Sequence, residues 1–464
     1  MPSRLIALVF MIGAGVIGAT IRLPALPSVY PTGTTIYDPA RAWSGFTLFD
    51  TPEAPGAVLV DMNGAVVRQW AGVALTPVPF RILPGGFIMG GTAGRPPHQE
   101  AIAVAQLDWN GREVWRFDRI EQVQLADKST VWAARQHHDW QREGYAAGYY
   151  APGGTPLVDR GRTLILSHKN VMKPEISDKV LEDDYLIEVS WDGKVLWDWL
   201  ASDHVGELGF SEEARNTIRR SLPLNAQRGS ADWLHINAAS YVGPNRWFDA
   251  GDQRFNPDHV IVSSREANII AIIDRRGAIV WRMGPDYRES PALQALGQMI
   301  GQHNPHIIPK GLPGAGNLLV FDNGGAAGYG APGPGSPSGV SSVRRDYSRV
   351  VEVNPVTFAK VWEYSVPGQQ RTNFFSHYVG SAQRLPNGNT LINEGANGRL
   401  FEVLPDRTIV WEYVSPFLGT NNPLNNRIFR AYRVPYDWVP QAARPVERAV
   451  VPPNIREFRI QPGK

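Results

Sequence analysis

Cysteine is absent from the 464 residues, which excludes disulfides, thiolate metal sites and a thiol nucleophile. An excess of one charge is also missing: 46 Lys and Arg stand against 44 Asp and Glu. That balance gives no basic stripe, so nucleic acid is not expected as a partner. Long apolar runs are missing too, except at the start. There Arg4 precedes an apolar stretch from Leu5 to Ile21, followed by Arg22 and a Pro-rich segment to Pro31. A basic start with an apolar core slightly short for a membrane span reads as a signal peptide or N-terminal anchor over residues 1–30. The globular part is therefore expected in the periplasm or otherwise outside the cytoplasm, with membrane association through this segment if it is retained.

What the chain has in abundance is one hairpin, written six times. VLVDMNGAVVRQW (Val58 to Trp70), VAQLDWNGREVW (Val104 to Trp115) and LIEVSWDGKVLW (Leu186 to Trp197) are three copies. IAIIDRRGAIVW (Ile270 to Trp281), VVEVNPVTFAKVW (Val350 to Trp362) and LFEVLPDRTIVW (Leu400 to Trp411) complete the set. Four copies place Gly at the turn (Gly64, Gly111, Gly193, Gly277), where a tight hairpin needs positive φ. Five carry Trp four residues after that position: Trp115, Trp197, Trp281, Trp362 and Trp411. Six copies of one supersecondary unit predict an all-β fold, a six-bladed β-propeller, with the Trp series as blade packing.

Each hairpin supplies the outer strands of a blade, and the segment before it supplies the inner pair. His137 to Trp140 opens one inner strand and Arg162 to His168 is its partner. Leu234 to Val242 pairs with His259 to Arg265, and His303 to Pro309 with Asn317 to Asn323. His377 to Gly395 forms a hairpin around Asn387-Gly388, a strong turn signal. The remaining blade takes its inner strand from Arg427 to Pro435 and its outer three from residues 43 to 72. Closing the ring with strands from both ends removes free edges. The propeller is expected over residues 43–439, followed by a Pro-rich strap or tail over 440–464. Helices are expected at Ser211 and at Ser290-Pro291, and a Gly/Pro-rich loop over Gly324 to Gly339. All three decorate one face.

Four histidines open successive inner strands on that face: His138, His235, His303 and His377. Inner strands line the channel, so four imidazoles are expected in register around its mouth. His306 falls on the other face of its strand by alternation, and His98, His168, His204 and His259 read as ordinary loop or strand residues. A ring of imidazoles suits a divalent transition ion, with oxidation or hydrolysis as its chemistry. It equally suits covalent catalysis, one ring attacking while its neighbours exchange protons. A non-catalytic, ligand-binding propeller is the third reading, and composition does not choose among them.

Several stretches carry a resemblance. DWLHIN (Asp232 to Asn237), QHNPHIIP followed by LLVFDNG, SRVVEVNP, and SHYVGSAQRLPNGNTLINEG are similar to the bacterial arylsulfotransferases, in order, from Gly45 to Tyr436. The resemblance implies a periplasmic six-bladed propeller that needs no cofactor and no nucleotide sulfate donor. It implies transfer of a sulfuryl group from an aryl sulfate to a phenol through a sulfohistidine. His377 matches the nucleophile, and His235 and His303 match the histidines that handle the phenol proton and the sulfuryl oxygens. The family's active-site arginine belongs after Asn323, where this chain has Gly324-Gly325-Ala326 and no Arg before Arg344. Arg265 and Lys169 are the candidate replacements as sulfate ligands, with Asn323 and His138 as further substrate-binding residues.

Overall fold

The structure is a computed structural model and describes residues 32–52, 56–71, 73, 78–92, 99–419 and 425–452. The N-terminal apolar segment, His98 and the last twelve residues lie outside the described residues. Six sheets form the ring expected from the hairpins. The first blade orders Ala431–Val434, Phe46–Asp50, Ala57–Val60 and Val66–Trp70 from the inside out. The C-terminal inner strand pairs antiparallel with the N-terminal one, Phe46 opposite Val434 and Phe49 opposite Ala431. The inner strands of the other five blades begin at Arg81, Gln136, Ile236, His303 and Ser381.

The repeated hairpin has a single physical cause. In every blade the outer pair carries a one-residue bulge at the same place, for example between Leu59 and Val60 and between Glu402 and Val403. A bulge of this kind needs a left-handed residue, and Gly64, Gly111, Gly193 and Gly277 supply it with φ from 82° to 94°. The two copies without glycine adopt the same conformation at Phe358 (φ 57°) and Arg407 (φ 76°).

The Trp repeat is an inter-blade staple. Each indole N–H donates to the carbonyl of the hairpin turn in the next blade: Trp115 to Trp191, Trp197 to Arg275, Trp281 to Pro355 and Trp362 to Pro405. Trp411 closes the circle on Met62 at 2.9 Å. The one copy lacking Trp has Arg68 there instead, its guanidinium 5.4 Å from the ring centre of Trp109 in the following blade. Replacing Trp411 with Phe keeps the packing and removes one buried hydrogen bond. A loss of about 1 kcal/mol is expected, read as a lowered urea midpoint at unchanged slope.

The channel is plugged below its mouth. Asp139 binds Arg81 at 2.6 Å through one carboxylate oxygen and Arg430 at 2.9 Å through the other, all three side chains being buried. Arg430 also donates to the Asn237 carbonyl at 2.5 Å. Four blades are thereby tied across the axis, beneath the histidines.

Several elements escape the repeat. Gly33–Tyr37 adds a fifth, outermost strand to the last blade, and Tyr37 pairs with Val450 near the C-terminus. The Gly/Pro-rich segment is in fact a hairpin, Gly325–Tyr329 with Val340–Arg345, in which Ala327 pairs with Val343 and the internal Gly328 sits at a bulge before Tyr329 meets Val340. A second hairpin joins Ile120–Gln124 to Thr130–Ala134. The helices stand where expected, Glu212–Ser221 capped by the Ser211 side chain and Pro291–Leu296 by that of Ser290.

Candidate active site

The inner strands enter the channel through a shared irregularity. His138, His235, Asn304 and Val379 all have φ between 51° and 52°, one left-handed residue at the corresponding point of four successive blades. The expectation of four histidines in one register is corrected by this. His138 and His235 occupy the left-handed position, His303 stands one residue before it and His377 two before. Bulges between Gln136 and Trp140, Ile236 and Ala238, and His303 and His306 mark the same place in the ladders. The histidines therefore sit at three depths, with His138 and His235 lowest and His377 nearest solvent.

His138 and His235 meet edge to face with ring centres 4.8 Å apart. His235 is fixed by Asp232, whose carboxylate accepts from Nδ1 at 2.6 Å. Burial opposes ionisation of Asp232, but the attraction and hydrogen bond of His235, with His168 and Arg265 nearby, hold its carboxyl below the usual range. With Nδ1 committed to an anion, Nε2 is the His235 nitrogen available for proton exchange.

His303 is fixed by a neutral partner. Asn323 donates both amide hydrogens to the carbonyls of Ser376 and Val379, each at 2.7 Å. Its oxygen therefore faces His303 Nδ1, 2.7 Å away, and the Gly301 carbonyl lies 3.0 Å from the same nitrogen. Two acceptors at Nδ1 place the proton there and leave the lone pair on Nε2. Burial, then the nearby Arg265 charge, push the His303 imidazolium well below its ordinary range, so the ring is neutral. Asn323 thus orients His303 and, through the same two bonds, pins the loop that carries His377.

His377 is exposed, flanked by Phe375 and Tyr378 with ring centres at 6.0 and 4.5 Å. Its pKa is lowered, first by desolvation and then by Arg265. Arg265 is the cation common to the site, since its charge acts on His303, His377 and Asp232 alike. It follows directly after the strand Val260–Ser264, its backbone N–H donates to the His235 carbonyl at 3.1 Å, and its guanidinium rests on Glu266. At the place of the expected arginine, Gly325 has φ +71°, and a Cβ there would stand 2.9 Å from the His377 carbonyl oxygen. The His377 loop occupies the space a side chain would need. Arg265→Gln is expected to bring the His377 titration closer to the ordinary imidazole range, because removing the cation makes the ring easier to protonate. An NMR pH titration of the His377 ring in both variants reads this shift.

Lys169 is placed elsewhere. It lies next to His168 on the strand Thr163–Met172, so alternation turns it to the opposite face, where its ammonium sits 5.3 Å from the Tyr185 ring centre. His306 is buried against the Tyr149 hydroxyl at 2.9 Å, and burial pushes its pKa to about 4. Asp232 is the residue of this cluster that reading by residue type passes over, although it stands three residues before the His235 it binds. Among the described residues, the groups of donors close enough to share an ion include none of His138, His235, His303 and His377, which weakens the metal-ring alternative. A cavity of about 620 Å³ opens at the other end of the inner strands, against Gln141, Tyr241 and Ile307.

The family model described as Arylsulfotransferase (ASST) matches residues 156–406. That span exceeds half the chain and holds Asp232, His235, Arg265, His303, Asn323 and His377. Among solved structures, the chain is similar to a protein of unknown function from Bacteroides caccae, at 11% identity over 84% of this chain and 99% of that one, with a TM-score of 0.42. It is also similar to virginiamycin B lyase from Staphylococcus aureus, at 9% identity over 84% and 96%, with a TM-score of 0.34. None of the curated proteins matches it.

Proposed function

The chain belongs to the arylsulfotransferase family, and from that premise we propose that it moves a sulfuryl group from an aryl sulfate to a phenol through a sulfohistidine at His377. One observation carries the reading. His235 and His303 each have Nδ1 committed, to Asp232 and Asn323, beside an exposed histidine whose ring makes no hydrogen bond among the described residues. Two rings are aimed and one is free to attack.

In the first half-reaction a neutral His377 nitrogen attacks sulfur as the aryl oxygen departs. The N–S bond forms, the S–O bond breaks, and the phenolate takes a proton from His235 Nε2. In the second, the incoming phenol returns its proton to His235 and its oxygen attacks sulfur, breaking the N–S bond. Protons balance over the cycle. The positive charge on His235 in its proton-bearing form is balanced by Asp232, as an acid balances the histidine of a hydrolase triad. Arg265 offers charge to the sulfuryl oxygens and keeps His377 unprotonated. The neutral His303 ring, presenting a lone pair at Nε2, suits contact with the phenolic hydroxyl rather than a sulfuryl oxygen. No nucleotide donor takes part in this reading, and an extracytoplasmic location belongs to the same proposal, supported by the basic-then-apolar pattern from Arg4 to Ile21.

Release of nitrophenol from its sulfate ester in the presence of chelator and a phenol acceptor tests this. Parallel double-reciprocal lines are expected for the two substrates. Asp232→Asn is expected to lower turnover by about 10²–10³ with acceptors of high pKa, where proton transfer matters most. Intersecting lines, or full activity in Asp232→Asn, would count against the assignment.

A further inference from the structure

His137 and His168 take no part in the proposed sulfuryl transfer, yet they lie in a polar part of the interior with Glu100, Glu182 and Asp184, all buried. It lies one layer behind His138, between the third blade and the fourth. His137 precedes His138, His168 lies on the neighbouring strand, and Asp184 stands directly opposite His168 in the ladder. All three are buried, with relative exposures of 1%, 1% and 0%. Each offers one donor atom within 4.8 Å of the others.

Two of these atoms are orphans. His137 Nε2 and Asp184 Oδ1 are both buried without a hydrogen-bond partner, and they face each other 3.5 Å apart. Buried polar atoms are ordinarily satisfied, and each exception asks for a cause. The rest of both side chains is committed. Asp184 Oδ2 accepts the Ile236 backbone N–H at 3.0 Å, and His137 Nδ1 lies 2.8 Å from His138 Nδ1. The unpaired atoms are thus held in place by bonds to their opposite ends. His168 is held likewise, its Nδ1 3.0 Å from the Glu100 carboxylate and 3.3 Å from that of Glu182, so Nε2 is the nitrogen an ion would bind, displacing any proton there.

We propose that His137, His168 and Asp184 bind a divalent transition ion of the zinc type. Zinc bonds of roughly 2.0–2.1 Å at a tetrahedral angle put neighbouring donor atoms about 3.4 Å apart, which the spacing of His137 Nε2 and Asp184 Oδ1 matches. Imidazole and carboxylate are the donors such an ion takes in a chain without cysteine. The Glu100 carboxylate behind His168 is the outer partner that orients a ligating imidazole. The His137 and His168 rings stack at 3.5 Å with 15° between planes, so the ion draws on both only if one ring tilts. A water fills the fourth position.

The ion also has a consequence for the site in front of it. With Nε2 on the metal, His137 keeps its proton on Nδ1 and donates to His138 Nδ1. His138 then carries its own proton on Nε2 and presents a donor to the chamber it shares with His235. This consequence rests on the proposed function, whereas ion binding does not.

The test is zinc titration of the chelator-stripped full chain by calorimetry, with bound zinc counted by elemental mass spectrometry after buffer exchange. One zinc per chain is expected, with affinity reduced at least about 10-fold in His137→Gln and in Asp184→Asn. Binding of less than one equivalent by the wild type overturns the proposal, as does wild-type affinity in both variants. If the variants do not fold, zinc-edge absorption of the wild-type complex decides. Imidazole scattering from two rings supports the site, and a shell without imidazole sinks it. Loss of sulfuryl transfer with zinc binding intact would overturn the enzymatic reading and leave this one standing.

Discussion

Replacing His377 with alanine is expected to lower aryl sulfate turnover by at least about 10³-fold while leaving the fold intact. The attacking atom disappears, and neither remaining histidine can take its place. His235 Nδ1 is held by Asp232, and His303 Nδ1 points at Asn323 and the Gly301 carbonyl. In the proposed mechanism the His235 Nε2 moves the phenol proton and the His303 Nε2 contacts the phenol, each from a fixed position, and loss of an activated nucleophile is among the largest single effects expected of covalent catalysis. Stability should change by less than about 0.5 kcal/mol, because the His377 ring is exposed and unbonded among the described residues. Steady-state kinetics with thermal melting checks both halves. A stable protein that keeps its turnover would contradict the assignment.

The largest stability effect is expected at Asp139, directly after His138. Its two carboxylate oxygens accept from Arg81, Arg430 and the backbone N–H groups of Trp140 and Ala239. Burial alone would raise its pKa, but the two guanidiniums outweigh burial and hold it below the usual range. Asp139→Asn keeps the shape, removes the charge and turns an amide donor toward a guanidinium donor. Two buried cations then lack their anion, and breaking such a cluster costs about 3–5 kcal/mol. That is a large share of a total that rarely exceeds about 15 kcal/mol. A urea denaturation series reads the loss directly, and an unchanged midpoint would mean the plug is not structural. The pH dependence carries the same sign. With the folded pKa depressed, the Asp139 contribution is present above the unfolded carboxylate range and fades as pH falls through the folded value.

Much of this was legible in the residue string, and the boundary of legibility has physical causes. The hairpins announce themselves because their glycines satisfy a backbone need that few residues meet, and the Trp series repeats because each indole must reach the next turn. The closing blade follows from counting strands, since a ring cannot leave an edge unpaired. What stayed hidden depends on single-residue shifts. Phe358 and Arg407 adopt the left-handed conformation without glycine to signal it. The left-handed residue at the head of four inner strands falls at His138 and His235 but after His303 and His377, and no pattern of residue types reports that shift. His168 reads as an ordinary strand histidine until the ladder brings Asp184 opposite it. Lys169 lies against Tyr185, away from the histidines, because alternation turns neighbouring side chains to opposite faces.

The absent arginine is the most instructive departure. Gly325 packs against the His377 backbone in the stretch where the resemblance led an arginine to be expected. Arg265 enters instead from the preceding blade, and its charge acts on both His303 and His377. In the proposed mechanism the clamp needs positive charge at the sulfuryl group and is indifferent to which strand delivers it.

One measurement reaches the central claim most directly. The protein is mixed with nitrophenyl sulfate without acceptor, quenched at alkaline pH, and weighed intact. The account predicts one equivalent of an acid-labile adduct with the mass of SO₃, located at His377, discharged by added phenol and absent from His377→Ala. Nitrophenol release with no adduct at any time, or an adduct that persists in His377→Ala, would contradict it.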